Sequence, residues 1–432
     1  MKKEKIIRDL LNKELSKKFR DTINSSPIFY SAEELKAKWN LICAVMDRID
    51  SCVNYLNKID KEYPESEEEF IDFITFSCMI KDAIIRLFEE LDIIYPFDSG
   101  KNSVKFFKNI YKDNLYPKNN SIYLAKDNPP SDDKFFEYFR ALIFAHPFKT
   151  NRHSKNNLMK KGEAQYSPWV IVNKFLSSLT SNTKDAVGVR IYSNMFDEML
   201  DLKLSFQLIK DYIISRYELL NYATKWVKDK ISEYQIKWSK IKVNRVQEPI
   251  KILKEIVNIL DERFIDHYEI DDAIRYSNYK LTNDKNIEAV KKYRDNLINK
   301  IDNLCNAIDS MDYECEDIGE FYEALNGRPK QTYNMFNYHM EKIFCYLNIK
   351  DEKYRKDLSS DFGWGIEQVK LFANNFAKNY VEIDSDTMSV DEIHLLVRTA
   401  CYLEKIKQAK DDCNINKINN DNILKPINII DD

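Results

Sequence analysis

Only 7 glycines and 11 prolines interrupt 432 residues, and this shortage of chain breakers limits the fold more than any other feature. Glycine and proline are the residues that destabilise a helix interior most, by ~1 and ~3 kcal/mol relative to alanine. They are also the residues that tight strand-to-strand corners demand. A chain so poor in both, and rich in Lys, Glu, Leu and Ile, reads as mainly α. Its length suffices for two or more domains with a sizeable core. The reading is a helical domain over 1–220, a helical accessory domain over 221–413, and an Asn-rich, loosely ordered tail over 414–432.

Local signals give that outline its elements. Ser31 with Glu34 forms a capping box ahead of a helix from Leu35 to Ile59. Ser66 with Glu69 opens a second helix through Leu91, whose Phe70, Phe73, Ile74, Ile80, Ile84, Leu87, Phe88 and Leu91 build a broad apolar face. Phe106, Phe107, Tyr111 and Tyr116 then lie among lysines, a pattern that favours an aromatic core with snorkelling lysines over base stacking. Residues 166–173 and 186–192 are β-branched and aromatic, and read as two short antiparallel strands, a hairpin covering the core. From 197 to about 243 neither Pro nor Gly occurs. The spacing of Leu200, Leu204, Leu208 and Tyr212 predicts one helical stretch of about 45 residues, ~65 Å long if straight, which either bends near Lys225–Lys230 or forms a spine linking two halves. Helices resume after Pro249, over about 285–310 and over Tyr333–Leu347. Gly363-Trp364-Gly365 predicts a turn around a buried Trp, and Ser389 with Glu392 caps a last helix to about Asp411.

Several functional classes are disfavoured. A net charge of −4 argues against whole-molecule electrostatic binding of nucleic acid, so any such contact needs a local basic patch. The 8 cysteines stand at 43, 52, 78, 305, 315, 345, 401 and 413, without a CxxC pair or zinc spacing, and read as small hydrophobes of a reducing compartment. His267, His339 and His394 are isolated from one another and read as structural or exposed. No cofactor or metal is implied. Neither a signal core nor an apolar run of about 18 residues is found, so the expectation is a cytoplasmic protein with no membrane contact.

The stretch with the most chemistry runs from Arg140 to Arg152. Ser131 can cap a helix whose first turn holds Asp132 and Asp133, favourably placed at the positive end of the dipole. Pro147 disfavours its continuation. At 100° per residue Phe135, Phe136, Phe139, Leu142 and Ile143 fall within about 100° of arc, and His146 projects into the same apolar stripe. Arg140 lies roughly 60° beyond the stripe, with Glu137 three residues before it as its expected partner. Downstream, Lys149, Arg152, His153, Lys155, Lys160 and Lys161 are uninterrupted by any carboxylate until Glu163, and are candidates to hold an RNA backbone.

Arg140-x5-His146 at a helix end in a helical chain resembles the signature of the HEPN superfamily, whose members include metal-independent ribonucleases of toxin–antitoxin, abortive-infection and CRISPR systems. The resemblance implies a HEPN-type helical bundle. It also implies a composite RNA-cleaving site assembled from two such motifs, which with one motif per chain means a homodimer. The family often places a small polar residue after the arginine; here it is Ala141.

Such chemistry suits these side chains. A histidine can move protons near neutrality, and an arginine offers a permanently charged fork of donors to a phosphate. The reading is therefore a metal-independent endoribonuclease of phage defence or toxin type, acting on RNA such as transfer RNA. His146 would be the proton-transfer group, Arg140 the phosphate clamp and Glu137 the residue that orients Arg140. The alternative is a non-catalytic helical scaffold or sensor that binds a partner defence protein. There His146 merely complements the helix dipole, and Arg140 is one half of a surface ion pair.

Overall fold

A computed structural model describes residues 9–97, 103–110, 125, 127–151, 158–172, 186–330, 332–347 and 359–423. The chain is mainly helical with one small antiparallel sheet. It divides into two compact units, residues 1–234 and 235–432.

The first unit opens with α1 (Lys13–Asn24), α2 (Ile28–Ser31), α3 (Glu33–Ile59) and α4 (Glu67–Glu90). Ser66 caps α4 as its sequence predicts, its hydroxyl accepting from the Glu69 N–H at 3.2 Å. The Ser31 box does not form. Pro27 has already started the turn of α2, so Ser31 is helical and cannot serve as a cap, and Ala32 takes the N-cap of α3 without a side-chain bond. α3 and α4 pack together, and α4 presents Phe70 and Phe73 to Phe139 and Phe206 in edge-on ring contacts. Phe107 lies against Phe135, Phe136 and Tyr212, within the core, and its neighbour Phe106 meets Tyr212 edge-on. Tyr111 and Tyr116 lie outside the described residues.

α5 (Asp132–Arg140) begins as expected, with Ser131 accepting from the Lys134 N–H. Its two carboxylates do more than complement the dipole. Buried Asp132 accepts backbone N–H groups of Lys105, Phe106 and Phe107 at 2.8–3.1 Å. Asp133 accepts from Tyr212 Oη (2.6 Å), Arg216 Nε (2.8 Å) and Tyr95 Oη (2.9 Å). The Arg216 guanidinium is wholly buried, packed over the rings of Phe97 and Tyr212. A buried charge of this kind is tolerable only because it is paired and hydrogen-bonded.

The sheet has three strands, not the two predicted: β1 (Gln165–Ile171), β2 (Ala186–Ser193) and β3 (Phe196–Ser205), in the order β1-β2-β3. The 45-residue helix is therefore absent. Its first residues form β3, and the rest divides into α6 (Phe206–Tyr217) and α7 (Leu220–Ser239). Pairing with β2 decides the matter: Leu200, Leu202 and Leu204 are all buried and alternate along the strand, and Asp201 binds Arg190 across the ladder at 2.7 Å. β1 is an edge strand, and its register shifts between Tyr166 and Trp169, where Pro168 has no N–H to donate.

The second unit holds α8 (Pro249–Glu262), α9 (Tyr268–Asn278), α10 (Ile287–Ile298), α11 (Ile301–Ser310), α12 (Glu316–Asn326), α13 (Phe336–Tyr346), α14 (Ser359–Asn375) and α15 (Val390–Ile423) around its own apolar core. Fully buried Arg263 donates to the carbonyls of Trp238, Ile241 and Ile308, all at or just beyond helix ends. The Gly363-Trp364-Gly365 turn is not formed. These residues lie inside α14, where Gly365 lets the helix approach Tyr346 and Leu347 closely, and Trp364 is exposed. Ser389 caps α15 through the Glu392 N–H as predicted, but the helix continues to Ile423, into the stretch read as tail. No helix among the described residues is long and apolar enough to cross a membrane.

Candidate functional site at the end of α5

Beyond Arg140 the α-helix widens into a π turn over Ala141–Ala145, closed by the His146 N–H donating to the Ala141 carbonyl at 2.8 Å. A turn with i→i−5 bonds advances less than 100° per residue. His146 then leaves helical geometry altogether, at φ −144°, ψ 48°. The two effects overturn the wheel reading: Leu142 and Ile143 stay in the core, but His146 is exposed.

The chain after His146 is held by backbone bonds. The His146 carbonyl accepts from the Lys149 N–H (3.2 Å) and the Thr150 hydroxyl (2.9 Å). Thr150 exchanges two 2.9 Å bonds with Gln165 at the head of β1, and the Ser167 N–H donates to the Pro147 carbonyl at 2.7 Å. Beneath this edge Tyr138, Gln165, Glu163 and Ser193 form a hydrogen-bonded chain whose Gln165 and Glu163 are buried. The loop carrying His146 and Lys149 is thus clamped to the sheet at one end and to α5 at the other.

Between these clamps opens a cavity of about 430 Å³ lined by Glu137, Arg140, Ala141, His146, Lys149, Thr150 and Asn151. Three of the sequence candidates for phosphate and proton chemistry, Arg140, His146 and Lys149, meet there. Lys160 and Lys161 do not line it; Lys160 sits over the ring of Phe196. Arg152, His153 and Lys155 lie outside the described residues.

Glu137 is not the partner of Arg140. Its carboxylate accepts from Lys81 Nζ at 3.0 Å, while the nearest carboxylate to the Arg140 guanidinium is that of Asp82, at 3.7 Å. Lys81, 2 % exposed, also binds Asp82 at 2.9 Å. One buried ammonium thus ties both carboxylates and leaves Arg140 only a long ion pair. Arg140 Nε is buried and has no hydrogen-bond partner. Burial works against the charge on Lys81, but the Asp82 and Glu137 carboxylates outweigh it and hold its pKa above the usual lysine value. The Cys78 thiol lies close enough to feel Arg140 and Lys81, yet burial pushes it up to about 12. It remains a thiol and offers no nucleophile.

Against family models, curated proteins and solved structures alike, the chain finds no match. The site must therefore be judged on its own chemistry. Its donors are a guanidinium, an ammonium and an imidazole, and its single lining carboxylate is already bound by Lys81. Among the described residues no three His, Cys, Asp or Glu side chains converge to hold a metal ion. What the cavity can do is accept a phosphate-sized anion and exchange a proton with it at an exposed imidazole.

Sequence reasoning missed Lys81 and Asp82. A signal existed: Lys81 falls on the apolar stripe of α4, in line with Ser77, Ile84 and Phe88, where an uncompensated lysine would be costly.

Proposed function

We propose that the chain is a metal-independent endoribonuclease of HEPN type, acting in phage defence or as a toxin, with its site in the cavity at the end of α5. The observation that carries this reading is the convergence of Arg140, His146 and Lys149 on one solvent-open cavity, with His146 exposed instead of sealed under the phenylalanines. The reaction breaks the P–O5′ bond as the 2′-oxygen attacks the same phosphorus. It requires a group to take the 2′-proton, a group to protonate the leaving 5′-oxygen, and positive charge at the phosphorane. Arg140 and Lys149 supply the charge. His146 supplies one of the two proton transfers, and the His146 of a second copy supplies the other, which makes the active form a homodimer. Such placed proton transfer contributes ~10²–10⁴-fold.

In this reading Glu137 sets the position of Arg140 only indirectly, through Lys81 and Asp82. His146→Ala and Arg140→Ala should each abolish cleavage of total or transfer RNA, with helical content and unfolding midpoint unchanged. Cleavage retained in both variants would overturn the proposal and leave the scaffold reading.

A further inference from the structure

Phe148 is 80 % exposed, on a backbone that is anything but loose. Pro147 before it accepts from Ser167 of β1, Lys149 after it donates to His146, and Thr150 is laddered to Gln165. A phenylalanine held in water on so fixed a frame keeps its ring where a partner can cover it. The residues around it contribute His146 and Lys149 to the cavity. Residue 148 thus sits in the chain between two lining residues of a cationic recess, in a molecule that is acidic overall, though its own ring is not part of the lining.

We propose that Phe148 is a stacking platform for a nucleobase adjoining the phosphate held by Arg140 and Lys149, so that the substrate segment is unpaired RNA. This rests on the cavity's reading as an RNA site. The chemistry favours a base over an apolar protein surface. In the chain Phe148 stands between a half-buried proline and an exposed lysine, and its two flanking residues on the cavity, His146 and Lys149, are a proton-carrying and a cationic side chain, not apolar ones. A planar ring on a backbone held next to cationic side chains matches a nucleotide's alternation of base and phosphate. A base in a duplex is already stacked on both faces and has no face to give, which is why the platform selects unpaired segments.

The test uses the full chain carrying His146→Ala, to prevent turnover, and a short fluorescein-labelled RNA offered single-stranded or as a duplex at one fixed salt concentration. Phe148→Ala should weaken single-strand binding by about tenfold, the scale of one base–aromatic stack, and Phe148→Trp should restore it. When an abasic nucleotide is scanned along the strand, one position should erase the difference in affinity that Phe148→Ala makes. Duplex affinity should not depend on residue 148. Unchanged single-strand affinity in Phe148→Ala, an equal loss on duplex, or no binding of either form would overturn the proposal. The two readings fail separately. RNA cleavage that survives with Phe148-independent binding removes the platform alone, whereas Phe148-dependent binding by a protein that never cleaves removes the nuclease alone.

Discussion

Lys81 offers a sharp test of the electrostatic account, because its burial is lopsided. The ammonium is 2 % exposed, while the carboxylates of Asp82 and Glu137 that neutralise it are 54 % and 45 % exposed. Removing the cation therefore leaves two groups that water can solvate; removing the anions leaves a charge that water cannot reach. Replacing Lys81 by methionine, of similar length, eliminates a desolvation penalty together with its compensation, and should shift unfolding free energy by no more than about 1 kcal/mol in either direction. The double variant Asp82→Asn/Glu137→Gln should cost about 3–5 kcal/mol, the usual consequence of stranding a buried charge. Urea denaturation of the full chain, followed by a probe in the first unit, measures both. The pH dependence carries a sign as well. In the native protein the lysine is held above its ordinary value, so its contribution is complete below about pH 10.4 and is lost only as pH rises through the raised value. In the double variant burial acts alone and lowers the value, so the deficit should shrink as pH climbs toward the ordinary lysine range. Equal losses in the two variants, or a deficit that grows with pH, would refute the argument.

Two further outcomes follow from buried groups elsewhere. His394 is buried against Phe344, and burial, with Arg275 and Arg398 nearby, pushes it down to about 3. It folds neutral, so stability is intact above its unfolded value of about 6.5 and falls as acid protonates the unfolded chain. Between about pH 7 and 4.5 the wild type should lose ~2–3 kcal/mol more than His394→Leu, read by denaturation of the second unit. A Cβ at Gly188 of β2 would lie 1.9 Å from the Leu202 carbonyl oxygen, a backbone atom that cannot yield. Gly188→Ala should cost at least the upper part of the ~1–3 kcal/mol range for overpacking, and raise hydrogen exchange across β2 and β3; an unchanged melting curve would contradict the strand pairing.

What is legible in the sequence depends on whether one period is at work. The helices α4 and α15 can be read because a cap and a 3.6-residue stripe agree. β3 reads as helix because Leu200, Leu204 and Leu208 are four apart, and four is a near-turn of helix as well as two steps of alternation. Leu202, filling the gap, is the clue that a helix does not explain. Ser31 is the right residue three before a glutamate, but its φ and ψ are already committed to α2 by Pro27. Arg140, His146 and Lys149 can be nominated from their chemistry. Their partners cannot: Glu137 is one turn from Arg140 on the wheel, yet it faces a lysine of a different helix that the local sequence does not reveal.

The placement of His146 shows why the motif does not resolve from helical geometry. α5 is fixed at its start by Asp132 and Asp133 and along its face by Phe135, Phe136 and Phe139, so it cannot rotate. The chain beyond is fixed by Pro147, Thr150 and the edge of β1, so it cannot slide. A continuous α-helix would carry His146 into the apolar stripe, where an imidazole without a partner is unfavourable. Widening the last turn to i→i−5 keeps Leu142 and Ile143 in the core and carries the imidazole out to the cavity instead. A π turn costs hydrogen-bond quality, which is why it persists only where its surroundings impose it. Here the imposition comes from both ends, and its product is an exposed histidine that lines the same cavity as an arginine whose Nε has no hydrogen-bond partner. Packing at the two ends accounts for the widened turn, and its consequence is that the imidazole reaches the cavity that Arg140 and Lys149 also line.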